Sequence, residues 1–147
     1  MASRTVKSVV SISNSPEAVI TYVTDMQNRT LYLNPLQSIS NLQGQATEVG
    51  SSWSWSWVML GVELEGVGIC TEYEAGKRYA FRTEGGIVST FAYQAEPAEG
   101  GAKLTITVDF EVPAAVAALP GGESLLTDME QSETEKTVQN LKAILDQ

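Results

Sequence analysis

The stretch 53–57, Trp-Ser-Trp-Ser-Trp, decides the fold class because it alternates large rings with small hydroxyl side chains. Side chains two residues apart lie on the same face of a β-strand, whereas a helix would scatter them around its axis. The pattern therefore predicts a strand with three indole rings on one face. The stretch 104–112 has the same period, with Leu, Ile, Val, Phe and Val separated by polar residues, and predicts a second half-buried strand.

Further strands are predicted on both sides of these two stretches. They cover 6–13, 37–42, 62–74, 78–84 and 87–95. The connections between consecutive strands are short and contain glycine, as at Leu60-Gly61, Ala75-Gly76-Lys77 and Gly85-Gly86. Such tight turns join antiparallel neighbours. We therefore expect a curved antiparallel sheet of about six or seven strands in an α+β fold.

Two short helices are predicted after the first strand. Ser15-Pro16-Glu17 combines a capping hydroxyl, a proline suited to the first helical position and an acid in the first turn. Thr24-Asp25-Met26-Gln27 resembles a second capping box, so the helix is expected to break and restart there. Asn34-Pro35 ends the helical segment.

A long final helix is predicted over 123–146, with an apolar stripe that begins with Leu125 and Met129. An antiparallel sheet with one apolar face must bury that face against another layer. We expect this helix to cover the concave face of the sheet.

Composition limits the kinds of protein that this chain can be. Its 147 residues fit a single domain, 1–147. Nine basic and 18 acidic residues give a net charge of −9, which argues against a nucleic-acid partner. No apolar run approaches the roughly 20 residues of a membrane span, and residues 1–7 do not resemble a signal peptide, so we expect a cytoplasmic protein.

The chain contains no histidine and a single cysteine, Cys70. Ser-His-Asp and Cys-His triads are therefore impossible, and neither a histidine nor a thiolate zinc site can form. We expect no metal and no cofactor. The pair Gly66 and Gly68 lies inside a strand pattern, which indicates close backbone approach or bending rather than a dinucleotide fingerprint.

Five segments, in this order and spacing, resemble the START-like superfamily, which includes the major birch-pollen allergen. They are 9–23 (VVSISNSPEAVITYV), 50–57, 71–81 (TEYEAGKRYAF), 100–105 and 141–145. Within that superfamily the chain is similar to the bacterial polyketide cyclase/dehydrase and lipid-transport group. The resemblance implies a helix-grip fold with a cavity between the sheet and the C-terminal helix. Members bind lipids, sterols, polyketides or plant hormones, and some cyclise or aromatise polyketides.

Large apolar and aromatic side chains are the candidates for contact with a ligand in that cavity. Core packing accounts for any single tryptophan, but three on one strand face favour contact of at least one with the ligand. The tyrosines would add polar hydroxyl groups. The expected ligand-binding residues are Trp53, Trp55, Trp57, Tyr79, Phe81, Phe91, Tyr93 and Met129.

Charged residues on the predicted strands leave two alternatives open. Arg82 alternates with Tyr79 and Phe81, which indicates the outer surface, but another strand register would let it anchor a carboxylate or an enolate. Glu63 and Glu65 fit an exposed strand end, or an acidic lining near the mouth of the cavity. No residue can be assigned a catalytic role from the sequence.

Three functions fit these features. The first is binding or carriage of a small hydrophobic or aromatic molecule, such as a lipid or a polyketide-like compound. The second is an enzyme of the polyketide cyclase or dehydrase type, with a cavity carboxylate or tyrosine that transfers protons. The third is a protein-interaction module with a vestigial cavity. The sequence is also compatible with a homodimer.

Overall fold

The computed structural model describes residues 3–59, 61–86 and 88–146. Its strands are β1 (Ser3–Ile12), β2 (Leu36–Gln43), β3 (Ser52–Met59), β4 (Val62–Glu74), β5 (Arg78–Gly85), β6 (Ser89–Ala98) and β7 (Gly101–Glu111). Its helices are α1 (Pro16–Thr24), α2 (Arg29–Tyr32), α3 (Ala114–Ala117) and α4 (Gly122–Leu145), and a 3-10 turn (Met26–Asn28) joins α1 to α2. Two sequence positions with predicted roles, Leu60 in a turn and Ile87 at the start of a strand, lie outside the described residues.

The seven strands form one antiparallel sheet in the order β1-β7-β6-β5-β4-β3-β2. Irregular pairing in β2, between Ser40 and Gln43, and in β4, between Cys70 and Glu72, interrupts the ladder. Such bulges bend a strand and increase its twist, which curves the sheet. The predicted α+β fold, with a curved sheet under a long C-terminal helix, is confirmed.

The break between α1 and α2 follows from local hydrogen bonds. The Ser15 hydroxyl accepts a hydrogen bond from the backbone N–H of Ala18 at 3.1 Å and starts α1. One residue after α1 ends, the Asp25 carboxylate accepts a hydrogen bond from the backbone N–H of Gln27 at 3.0 Å and starts the 3-10 turn. The chain then enters α2 with Arg29 at its first position, and this places the Arg29 side chain in the interior.

The three tryptophans face the interior, and two of them, Trp53 and Trp55, lie opposite glycines that have no side chain. In the β3–β4 register, Trp53 pairs with Gly68 and Trp55 pairs with Gly66. A Cβ atom on Gly68 would lie 2.4 Å from Cε2 of Trp53, and one on Gly66 would lie 2.6 Å from Cζ2 of Trp55. These two indoles therefore lie directly over a glycine backbone. On the outer face of β3, serines alternate with the rings.

Helix α4 packs mainly against β1 and also contacts β7, α2 and α3. Its buried face is spaced by three or four residues and comprises Leu126, Glu130, Thr134, Thr137, Val138, Leu141 and Leu145. This face differs from the predicted stripe at the N-terminal end, because Leu125 is 54% exposed whereas Leu126 is buried. The polar side chains of Glu130 and Thr134 thus occupy buried positions that an apolar pattern could not predict.

In the described part of the chain, no helix combines the length and the apolar character that crossing a bilayer requires.

Candidate functional site

An internal cavity lies between the concave face of the sheet, α2 and the N-terminal half of α4. Its empty volume is about 590 Å³, including the part open to solvent, and about 40 Å³ of that space admits the centre of a water molecule. One water needs roughly 10–15 Å³ by this measure. The cavity as it stands therefore has room for a few waters or a small flat group, and a larger ligand would displace its walls.

Aromatic side chains form one part of the cavity wall, which we call the aromatic wall. Phe81 and Phe91 stack with their ring centroids 4.9 Å apart and an interplanar angle of 7°. Trp53 meets Phe81 edge to face at 5.4 Å, and Trp57 meets Phe91 in the same way at 6.3 Å. The indole N–H groups of Trp55 and Trp57 are buried and have no acceptor among the described residues. This aromatic wall suits a flat, apolar ligand that carries a few hydrogen-bond acceptors.

Arg29 is the cationic group of the cavity wall, although it is only 1% exposed. Its guanidinium carbon lies 4.8 Å from the ring centroid of Trp53, 5.0 Å from that of Tyr79 and 4.9 Å from that of Phe81. We call these three rings the Arg29 cage. Nη2 of Arg29 donates a hydrogen bond to the Tyr79 hydroxyl. Nε and Nη1 are shielded from solvent and have no acceptor among the described residues.

The charge of Arg29 is not neutralised by the tyrosines that surround it. Burial raises the pKa of Tyr32, Tyr79 and Tyr93 above the ordinary value of a phenol, so all three hydroxyls are neutral at physiological pH. Within residues 3–59, 61–86 and 88–146, no carboxylate forms an ion pair with Arg29. A desolvated cation–π contact contributes about 2 kcal/mol. Contact with the cage rings therefore offsets part of the cost of removing the Arg29 charge from water.

Glu130 brings a carboxyl group to the same cavity from α4, and its side chain is 6% exposed. Burial, and to a lesser extent the neighbouring Glu133 carboxylate, raise the pKa of Glu130 to about 7. The Lys136 ammonium lies 3.3 Å from Glu133, and among the described residues Glu130 has no ion-pair partner of its own. A carboxyl with a pKa near neutrality can give or take a proton at physiological pH.

The structure brings five of the eight predicted ligand-binding side chains to the cavity: Trp53, Trp55, Trp57, Phe81 and Phe91. Tyr79 and Tyr93 do not line the cavity; they are fully buried and stack on each other at 6.2 Å behind its wall. Met129 packs against the core without lining the cavity, because the helix turns Leu126 and Glu130 toward it instead. That these side chains bind a ligand stays a prediction.

Arg29, Glu111 and Glu130 are the charged residues of the cavity wall, and the sequence does not indicate that role for any of them. Arg29 lies in a four-residue helix, too short for a periodic pattern to identify its buried face. Arg82, for which the sequence left two alternatives, lies on the outer face of β5, and its Nη2 is 3.2 Å from the Glu84 carboxylate. Glu63 and Glu65 are exposed on the outer face of β4.

A second depression lies on the surface where α3 meets the start of α4. It is lined by small and polar groups, including an ion pair between Arg4 and Glu123. Both of these side chains are about 40% exposed, so the pair is screened by water. The depression lacks the aromatic lining of the internal cavity.

Comparison with known proteins agrees with this architecture. The family model described as polyketide cyclase / dehydrase and lipid transport matches residues 3–146. The fold is similar to that of TTHA0849 from Thermus thermophilus, with a TM-score of 0.80 and 19% identity over 97% of each chain. Ara h 8.0201 gives a TM-score of 0.69 and 18% identity over 98% of each chain. The ginseng major latex-like protein 151 from Panax ginseng gives 0.67 and 12% over 99% of each chain. No curated protein sequence matches the chain significantly.

Proposed function

This chain belongs to the polyketide cyclase/dehydrase and lipid-transport family, and from that premise we propose that it binds or carries a small hydrophobic or aromatic molecule in its internal cavity. The observation that supports the proposal most strongly is the aromatic wall between the sheet and α4. Concave, mostly apolar cavities with a few convergent polar groups are the usual form of a small-molecule site.

The free energy available to such a ligand comes mainly from burial of its apolar surface. At about 25 cal/mol per Å², a flat ligand that buries about 200 Å² would gain about 5 kcal/mol, before the costs of association. Polar contacts would then determine its orientation. A two-ring aromatic compound is a suitable first probe because aromatic groups pack well against aromatic side chains, although it would displace part of the cavity wall.

The proposal predicts saturable, one-to-one binding of naphthalene derivatives, with a dissociation constant below about 1 mM by isothermal titration calorimetry. Filling the cavity should weaken this binding at least tenfold. Leu126, which lines the cavity, and Leu125, which is exposed, are adjacent on α4 and form a matched pair of sites. Leu126→Trp should block the cavity, whereas Leu125→Trp should bind like the wild type.

Two results would contradict the proposal. The first is no binding of any naphthalene derivative up to millimolar concentration. The second is equal binding by folded Leu126→Trp and Leu125→Trp proteins, since a ligand that ignores a filled cavity binds elsewhere. Circular dichroism establishes that both variants are folded before the titrations are compared.

The polar groups of the cavity favour a second candidate, proton-transfer catalysis on a polyketide-like carbonyl compound. The Glu130 carboxylate would take a proton from the carbon next to the carbonyl, the electron pair would move to the oxygen, and Arg29 would stabilise the enolate. In D₂O an aryl methyl ketone should then exchange its methyl protons at least tenfold faster than in buffer, followed by proton NMR. An exchange rate equal to that in buffer, or unchanged by Glu130→Gln, would eliminate this candidate.

We propose the cytoplasm as the location of this protein. The supporting observation is that Cys70 is a free, buried thiol, which a reducing compartment preserves.

A further inference from the structure

Among the described residues, Arg29 is a buried cation that has one hydrogen bond and no ion-pair partner. A buried ion costs several kcal/mol unless a counter-ion or a full set of hydrogen bonds compensates for it. Arg29 has one hydrogen bond, to the Tyr79 hydroxyl, and its Nε and Nη1 groups have no acceptor in the described part of the chain. The chain has 18 acidic residues, yet none of those described supplies a carboxylate to Arg29. A missing counter-ion in so acidic a protein points to a ligand that brings one.

The surroundings of Arg29 favour a flat anion. The guanidinium carbon of Arg29 lies within 5.0 Å of the centroids of all three cage rings. The N–H donors of a guanidinium lie in its plane, so a hydrogen-bond partner has to approach near that plane. Planar carboxylates match guanidinium donors in charge and shape. Trp53 and Phe81 belong both to the cage and to the cavity wall. A ligand whose anionic group binds Arg29 would therefore place an adjoining aromatic group against that wall.

The carboxyl groups of the cavity wall, Glu130 and Glu111, limit the ligand to one negative charge. Glu130 is buried on α4 without an ion-pair partner among the described residues. A second carboxylate on the ligand would be desolvated in the same apolar space, next to a group that is itself acidic. A like charge there is unfavourable.

We propose that Arg29 is the receptor for the carboxylate of an aromatic monocarboxylic acid whose ring lies against the tryptophans of β3. This inference rests on the proposed function, because it names the class of molecule that the cavity would take. Arg29 would form the charged hydrogen bonds, and the Arg29 cage would hold it in place.

The experiment compares 2-naphthoate with 2-naphthamide, which has the same two rings and a flat, neutral head group. Titration calorimetry on the full chain should show at least tenfold tighter binding of the naphthoate. Arg29→Gln and Arg29→Met should lose this preference and bind the two compounds with dissociation constants within about threefold of each other. Arg82→Gln, which removes an exposed arginine on β5, should keep the preference.

The outcomes separate the two proposals. If the wild type binds both compounds equally, the inference about Arg29 is wrong and cavity binding stands. If it binds neither compound, the proposed function fails first. A preference for the naphthoate that survives in Arg29→Gln or Arg29→Met would assign the anion site to another residue. The wild-type comparison decides the preference for an anion even if both Arg29 variants fail to fold.

Discussion

Replacing Trp53 by alanine is expected to lower the free energy of unfolding by about 3–5 kcal/mol, the usual range for truncating a large aromatic residue in a core. Trp53 is 2% exposed and lies over the backbone of Gly68, which cannot fill the space left by the ring. The substitution also removes one of the three rings around Arg29 and the edge-to-face partner of Phe81. Urea denaturation followed by circular dichroism measures the loss.

A matched control for this change is Leu125→Ala, which truncates an exposed side chain and should cost less than about 0.5 kcal/mol. A loss below about 1 kcal/mol in Trp53→Ala would mean that the ring does not pack in the interior. Trp53 would then not belong to the aromatic wall described above.

Replacing Glu130 by glutamine is expected to make the protein more stable at pH 8 and to leave its stability at pH 4 nearly unchanged. Burial raises the pKa of Glu130 from 4.5 to about 7 in the folded protein, so folding favours the protonated form. The wild type should therefore lose stability as the pH rises from about 4.5 to about 7, and lose no more from this group above that range. At about 1.4 kcal/mol per pH unit, the full penalty is roughly 3 kcal/mol.

Measurement of unfolding free energies across this range compares three proteins. The difference between Glu130→Gln and the wild type should be close to zero at pH 4 and approach about 3 kcal/mol at pH 8. Glu135→Gln alters an exposed acid on the same helix, and its difference from the wild type should stay within about 0.5 kcal/mol. Parallel pH profiles for the wild type and Glu130→Gln would mean that the Glu130 carboxyl is not buried in the cavity wall.

Local patterns were sufficient to predict the sheet and the helices. The alternation in 53–57 and 104–112 identifies strands because neighbouring side chains on a strand point to opposite faces. Ser15 predicts the start of α1, and the resemblance of 24–27 to a capping box predicts the restart, where the Asp25 carboxylate bonds a backbone N–H group at the start of the 3-10 turn. Gly66 and Gly68 signal close approach within a strand, although only the register identifies the indoles as the approaching groups.

The polar part of the cavity could not be predicted, because burial of a charge depends on contacts between distant segments. Arg29 is enclosed by rings from β3 and β5, which lie 24 to 52 residues further along the chain. Glu130 is buried because α4 is rotated by about one residue from the orientation that Leu125 and Met129 indicated. The same rotation explains why Leu126 rather than Met129 lines the cavity.

Binding inside the cavity can be observed most directly through the indole N–H groups of Trp53, Trp55 and Trp57, the only tryptophans in the sequence. A ¹H–¹⁵N correlation spectrum, with signals assigned by single Trp→Phe variants, follows them during titration with 2-naphthoate. We expect all three indole signals to shift and to saturate at one ligand per chain. Unchanged indole signals, with shifts confined to the backbone of 117–128 around the surface depression, would contradict an internal ligand site.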